Sequence, residues 1–324
     1  MKTIAIAAGG DSPEYEISVK SALEVSKTLA ERYFVYIIVI RGMNWYWEDP
    51  KGRFHNIDKN TFTLVTDENK VRFDAVFIAI HGSPGENGQL QGYLDMIGIP
   101  YTSCNAFCSA LTFNKLACKL FLKDYKIPMA KSVFLRAGDE FDPEEIIKKT
   151  GLPCFVKPND SGSSFGVSKV KSAAELIPAI SKASAESNEI LIEAFMDGRE
   201  VACGVVKTGK RSVVLPVTEI ISKNEFFDYE AKYTPGRSDE ITPAQLPQRV
   251  TERIQQLSLQ IYEILGCKGI VRVDFILIGN KPHFLEINTV PGMTEESLIP
   301  KQAKAAGIRL DDLYSMVLED VLGN

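Results

Sequence analysis

The residues with the most chemical content stand in two short stretches, Arg272-Val273-Asp274-Phe275 and Leu285-Glu286-Ile287-Asn288. Both read as strands. Side chains two apart on a strand share a face, so Arg272 sits with Asp274, and Glu286 with Asn288. A turn at Gly279-Asn280 would fold the strands into a hairpin and bring these groups together. Asp, Glu and Asn without His or Cys form an oxygen-only donor set. That set suits a hard cation, Mg²⁺, bound jointly with a phosphate chain. The plainer alternative is a solvated hairpin face.

A second stretch runs Lys157-Pro158-Asn159-Asp160-Ser161-Gly162-Ser163-Ser164-Phe165-Gly166-Val167. Small residues let backbone amides approach an anion, and Lys157 adds a positive charge beside them. Alone this is a linker as readily as a phosphate loop; with the acidic pair downstream it reads as nucleotide-binding. His81-Gly82-Ser83-Pro84-Gly85-Glu86-Asn87-Gly88 follows an apolar strand. Ligands bind at the carboxyl ends of parallel strands. Asp228 to Tyr233 precedes a Pro-, Gly- and charge-rich loop over 234–243, suited to closing a cleft. One decoy is cleared: Gly204 to Lys210 matches seven places of a P-loop, but Arg211 stands where Ser or Thr is required. The segment reads better as a hairpin over 202–217. No G-x-G-x-x-G follows the first strand, which disfavours a dinucleotide fold.

These groups need a scaffold. Residues 3–8, 34–40 and 74–80 are continuous apolar runs, as in parallel strands covered on both faces. A helix over 16–31 follows the first, and 44–72 reads as a polar excursion. Downstream, helices are expected over 112–125, 172–185, 244–265 and 310–321. Strands are expected over 132–135, 154–157, 190–195, 201–206, 270–278 and 282–287. This is an α/β unit followed by two α+β units, with the cleft between units as the default site.

Composition agrees. At roughly 100–200 residues per domain, 324 residues make two or three domains. A net charge of −5 makes no field for nucleic acid, and no 18-residue apolar run spans a membrane. The N-terminus reads as a buried first strand, not a signal peptide. Six cysteines are too few for a disulfide scaffold. Cys104 and Cys108 are four apart, but no Cys or His pair lies nearby in sequence to complete a zinc site, so all six read as reduced thiols.

Taken in order, the motifs resemble those of the D-alanine–D-alanine ligase family of the ATP-grasp superfamily. The matching stretches are Gly9-Gly10 with Ser12-Pro13-Glu14, His81 to Gly92, Tyr101-Thr102, Asn114-Lys115 and Lys157 to Gly166. Asp228 to Tyr233 (DYEAKY), Arg272-Val273-Asp274 and Glu286 to Leu298 (EINTVPGMTEESL) complete the set and cover nearly the whole chain. The resemblance implies a three-domain ATP-grasp fold, α/β and α+β, with an N-terminal parallel-sheet α/β domain. It implies a substrate-binding domain at 1–102, a central ATP-grasp domain at 103–190 and a C-terminal one with the metal site at 191–324. The implied reaction phosphorylates one D-alanine with ATP, and the amine of a second D-alanine displaces the phosphate.

Residue roles follow from the resemblance alone. Lys115 and Lys157 would clamp the α- and β-phosphates, and Lys232 would reach the γ-phosphate. Glu193 would bind adenine and Glu200 the ribose, with Phe195 and Met196 against the base. Asp274, Glu286 and Asn288 would hold two Mg²⁺ ions, with Mn²⁺ a substitute. Arg272 and the Gly292 N–H would form the oxyanion hole. Glu14 would hold the ammonium of the first D-alanine, with Ser163 and Tyr233 linked to it. Ser297 and Leu298 would take the carboxylate of the second, and His81 would lie near the first. A homodimer and a cytoplasmic location are also implied. Relatives that make D-alanyl-D-lactate often lack the Lys-Tyr pair, so Lys232-Tyr233 favours an amine acceptor. Two rivals stand beside this reading: an ATP-grasp ligase for other amino acids, and a non-catalytic nucleotide-binding regulator.

Overall fold

The computed structural model describes residues 1–209, 211–223 and 236–323. The chain opens with β1 (Thr3–Gly9), α1 (Tyr15–Leu29), β2 (Phe34–Arg41), β3 (Asn44–Glu48), β4 (Phe54–Asp58), β5 (Thr63–Val65), β6 (Lys70–Val71) and β7 (Ala75–Ile78). These form one sheet in the order β6-β5-β4-β3-β2-β1-β7. β1 runs parallel to both β2 and β7, and is buried from Ile4 onward, as its unbroken apolar run requires. The expected polar excursion is instead an antiparallel meander, β3 to β6. Its signal is aromatic: Trp47 packs edge-on to Tyr36 at 5.3 Å, and Trp45 to Tyr93 at 5.0 Å.

Past α2 (Gln89–Ile97), the helix expected over 112–125 is two helices, α3 (Ala106–Phe113) and α4 (Lys115–Lys123). Asn114 breaks them. Its backbone is extended, and its side chain accepts from the Ala117 N–H, capping α4. A second sheet follows from β8 (Ser132–Arg136), α5 (Pro143–Thr150), β9 (Cys154–Pro158), β10 (Ser168–Val170), α6 (Ala173–Ser184) and β11 (Glu189–Ala194). Its order is β10-β9-β11-β8, antiparallel throughout.

The third sheet has the order β15-β14-β12-β16-β17, with β13 paired to β12. Its strands are β12 (Arg199–Lys207), β13 (Ser212–Val214), β14 (Thr218–Ser222), β15 (Ser238–Ile241), β16 (Gly269–Ile278) and β17 (Lys281–Asn288). The long helix α7 (Gln248–Ile264) covers it, and α8 (Leu298–Ala305) and α9 (Leu310–Leu322) end the chain. Val205 pairs with Val214, so the P-loop decoy is a hairpin, turning where Thr208 N–H donates to Arg211 O at 2.8 Å.

Cores do not follow chain order. α9 returns to the first sheet, where Tyr314 meets Phe77 at 5.6 Å in one buried cluster with Ile4, Ile6 and Leu29. Cys104, Cys108, Cys118 and Leu122 pack with α7 and β16 rather than with the second sheet. The expected division at 190/191 falls inside β11, which pairs with β8 and β9; the sheets change between Ala194 and Arg199.

Candidate functional site

The hairpin read from sequence forms, and a bulge between Asp274 and Phe275 sets its register at the site. Arg272 pairs with Asn288 and Asp274 with Glu286 across β16 and β17. Asp274 is buried, and its carboxylate accepts from Arg272 Nε at 2.8 Å, Arg272 Nη2 at 2.7 Å and Asn288 Nδ2 at 3.0 Å. Arg272, Glu286 and Asn288 line a cleft of about 1330 Å³ whose walls come from the second and third sheets, from the start of α1 and from the loop after β7. Every donor in the acidic set is oxygen, which fits a hard divalent cation with room left for phosphate oxygens.

Opposite stands the loop after β9. Ser163 and Ser164 have φ of +45° and +60°, a left-handed backbone that non-glycine residues rarely adopt. The turn presents the Ser163 hydroxyl to Glu14, just ahead of α1, and donates to its Oε1. Gly162 packs against the same carboxylate, where a Cβ would overlap Glu14 Oε2. A side chain at 162 would have to displace the Glu14 carboxylate.

Lys157, at the end of β9, and Lys115, at the start of α4, both line the cleft. Lys115 Nζ donates to Ser161 O at 2.5 Å. Lys157 ion-pairs with Glu193, and Lys119 pairs with the other oxygen of the same carboxylate. Burial works against the Glu193 charge, but Lys157 and Lys119 outweigh it and hold the carboxyl at about 2. The Glu193 charge likewise overrides burial at Lys157 and raises its pKa, whereas at Lys119 burial prevails and lowers it. Phe195 and Met196 line the cleft beside Glu193, with Glu200 further along. Phe195 lies 6.1 Å from the Phe155 ring and tilted to it by 46°, with Lys169 Nζ 4.2 Å from its centroid.

His81 follows β7 and is buried. Its Nδ1 lies 2.8 Å from Val290 O, so this nitrogen must donate. Nε2 then accepts from Ser21 Oγ, 3.1 Å away, and Ser21 Oγ accepts from Met293 N–H at 3.3 Å. Burial lowers the His81 pKa despite Glu14 nearby, which keeps it neutral for this role. Glu86 accepts from Gly82 N–H at 2.8 Å and Val290 N–H at 3.1 Å. Burial first, then the charge of Glu14, pushes its carboxyl up to about 7. His81 and Glu86 thus hold the 290–293 turn from both sides. In that turn a Cβ on Gly292 would meet Ser297 Oγ at 2.7 Å. Ser297 precedes α8, whose first residue is Leu298.

Comparison with known proteins supplies the family. The family model described as D-ala D-ala ligase N-terminus matches residues 3–104, and that of the C-terminus matches 121–319. The chain belongs to the D-alanine–D-alanine ligase family. A D-alanine–D-alanine ligase of Phocaeicola vulgatus is 51% identical over 321 residues, 98% of this chain and 99% of the relative. The D-alanyl-alanine synthetase A structure from Vibrio cholerae superposes with a TM-score of 0.90 at 29% identity, covering 100% and 99% of the two chains. The VanG D-Ala:D-Ser ligase of Enterococcus faecalis superposes at 0.85 with 32% identity, covering 98% of each.

Of the site residues implied by resemblance to the D-alanine–D-alanine ligase family, Glu14, His81, Lys115, Lys157, Ser163, Glu193, Phe195, Met196, Glu200, Arg272, Glu286, Asn288, Gly292, Ser297 and Leu298 line the one cleft. Asp274 lies behind Arg272, bonded to it. Lys232 and Tyr233 lie outside the described residues. Sequence reading missed Glu86, Lys119 and Ser21. Glu86 stood inside the His81 motif, but its two amide partners sit 4 and 204 residues away. Lys119 sat on a helix with nothing to mark it, and its partner is 74 residues on.

Proposed function

We infer that this chain ligates two D-alanine molecules at the expense of ATP, releasing ADP and phosphate, and so supplies D-alanyl-D-alanine for peptidoglycan precursors. A carboxylate is a poor electrophile; phosphorylation gives it a leaving group, and the second amine then displaces phosphate from D-alanyl phosphate. Catalysis is mainly positioning and charge neutralisation. The observation that carries the reading is the single cleft that holds the Glu14–Ser163 pair, the Lys115 and Lys157 cations and the Glu286–Asn288 donor edge.

Within that reading, Glu14 takes the ammonium of the first D-alanine, with Ser163 fixing its carboxylate. Asp274, Glu286 and Asn288 would hold divalent metal, for which we propose two Mg²⁺ ions that neutralise phosphate oxygens. Lys115 and Lys157 bind the phosphates, and Phe195 and Met196 face adenine, with Glu200 on the ribose. Glu193 reaches the adenine edge while serving as counter-ion to Lys157. Arg272 and the Gly292 N–H stabilise the developing oxyanion. His81 and Glu86 set the Gly292 turn, and the amides at Ser297 and Leu298, at the start of α8, receive the second carboxylate. Lys232 and Tyr233 are assigned to the γ-phosphate and to the Glu14–Ser163 pair from sequence alone.

The domain division is also proposed: three units, with the last boundary moved from 190/191 to the gap between β11 and β12. A homodimer and a cytoplasmic site of action belong to the same proposal; among the described residues no helix is long and apolar enough to cross a membrane. The deciding experiment measures phosphate release from ATP and Mg²⁺ with D-alanine, L-alanine, or D-alanine plus D-serine or D-lactate, with products identified by mass. D-alanyl-D-alanine formed with D-alanine alone is the expected result. Release only with another amino acid, or ATP binding with no turnover, would overturn it.

A further inference from the structure

Outside the cleft, three thiols converge. Cys104, Cys108 and Cys267 are all buried, and their Sγ atoms lie within 4.8 Å of one another. Cys108 and Cys267 Sγ are 3.7 Å apart although 159 residues separate them in the chain. This corrects the reading that nothing completes a site beside Cys104 and Cys108: the third sulfur comes from the segment between α7 and β16, which sequence spacing could not reveal. Cys108 and Cys118 also lie in the stretch that neither family model matches, 105–120.

We propose that Cys104, Cys108 and Cys267 form a binding site for a thiophilic divalent cation of the Zn²⁺ class. Sulfurs 2.3 Å from a shared ion stand about 3.8–4.0 Å apart in tetrahedral or trigonal geometry, so a 3.7 Å pair needs little movement. A candidate fourth donor stands beside Cys104. The Lys268 carbonyl oxygen lies 3.5 Å from Cys104 Sγ, and a tetrahedral ion with mixed sulfur and oxygen ligands puts those two atoms about 3.6 Å apart.

Two further contacts suit thiolates rather than thiols in an oily core. Lys268 N–H donates to Cys104 Sγ at 3.3 Å, the outer-shell bond that supports metal-bound sulfur. Cys104 and Cys108 flank the start of α3, where Asn105 caps the helix through the Cys108 N–H at 2.9 Å; the positive end of the helix offsets negative sulfur. Binding replaces three thiol protons, released to solvent, by one dication. Cys267, at 8% exposure, is the least buried of the three. The ion would clasp α3 to the segment just ahead of β16, with Cys267 five residues before Arg272.

The test uses Cd²⁺ on the reduced full-length chain. One equivalent should produce a thiolate-to-metal charge-transfer band and raise the melting temperature. X-ray absorption at the cadmium edge should read three sulfur neighbours. Carboxylates of the cleft give no such band, so failure here and failure of the ligase reading are distinguishable. Cys108→Ala and Cys267→Ala should abolish the band, whereas Cys154→Ala, in the core of the second sheet, should keep it. No band in the wild type, an oxygen-only shell, or a band that survives Cys108→Ala would overturn the proposal. The wild-type absorption measurement decides even if a variant fails to fold.

Discussion

At the scale of single residues, charges in this cleft are held by other charges. Glu286 stands opposite Asp274 with only oxygen donors around the proposed metal. Glu286→Gln should lower phosphate release by about 100-fold or more, because neutralising developing phosphate charge contributes several kcal/mol. The far-ultraviolet circular dichroism should not change; a normal rate at saturating Mg²⁺ would refute the assignment. Glu193 behaves differently because it is buried between Lys119 and Lys157. Glu193→Gln strands two buried ammonium groups and should cost about 3 kcal/mol of stability, read as a shifted denaturation midpoint at unchanged slope. The linkage sign is that of a depressed acid. Its stabilisation is complete above about 4.5 and fades as pH falls toward about 2, so the variant should lack that part of the acid limb.

At the scale of elements, the cleft depends on loops that long-range bonds hold in place. Glu86 ties the turn after β7 to the turn after β17. Its carboxyl is raised, so the folded chain binds a proton there that the unfolded chain releases. Ligand-free stability should therefore fall as pH rises from about 4.5 to about 7 and level off above. Glu86→Gln should flatten that limb in thermal unfolding followed across pH; an unchanged slope would refute the account. This element shows what could be read in advance. The β16–β17 hairpin was legible as a pairing, because period-two alternation and a Gly279-Asn280 turn are local signals; its register was not, since the bulge between Asp274 and Phe275 sets Asp274 opposite Glu286 where an unbroken ladder would give Leu285. The break into apolar parallel strands was also legible. The Asn114 break between α3 and α4 was written in a capping residue but hidden by continuous helical periodicity. The meander β3–β6 was hidden by strands of two to five residues, too short for alternation to register. Glu86, Lys119 and the Cys267 thiol had no signal, since each gains meaning only from a partner far along the chain.

At the scale of the whole molecule, the last helix completes the first core. Residues 310–322 pack back onto β1, β7 and α1, and Arg32 fastens the junction by pairing with Asp311 at 2.7 Å and Asp312 at 2.6 Å. The N-terminal unit, which carries Glu14 and His81, is therefore finished only when the chain's end is in place. Tyr314 is the centre of that closure: it is fully buried against Phe77, and among the described residues its hydroxyl has no hydrogen-bond partner. Ring and hydroxyl then pull in opposite directions. Tyr314→Ala removes the ring and leaves a cavity, so it should destabilise by about 3–5 kcal/mol. Tyr314→Phe keeps the ring and removes only a desolvated, unpaired hydroxyl, so it should stabilise by about 1 kcal/mol. The measurement is thermal unfolding of both variants, with phosphate release as a check that Tyr314→Phe leaves the cleft intact. A Tyr314→Phe variant less stable than the wild type would show that the hydroxyl is satisfied after all, by a bound water or a shifted neighbour. Equal stability of Tyr314→Ala and the wild type would mean that α9 is an ornament on the first sheet rather than part of its core.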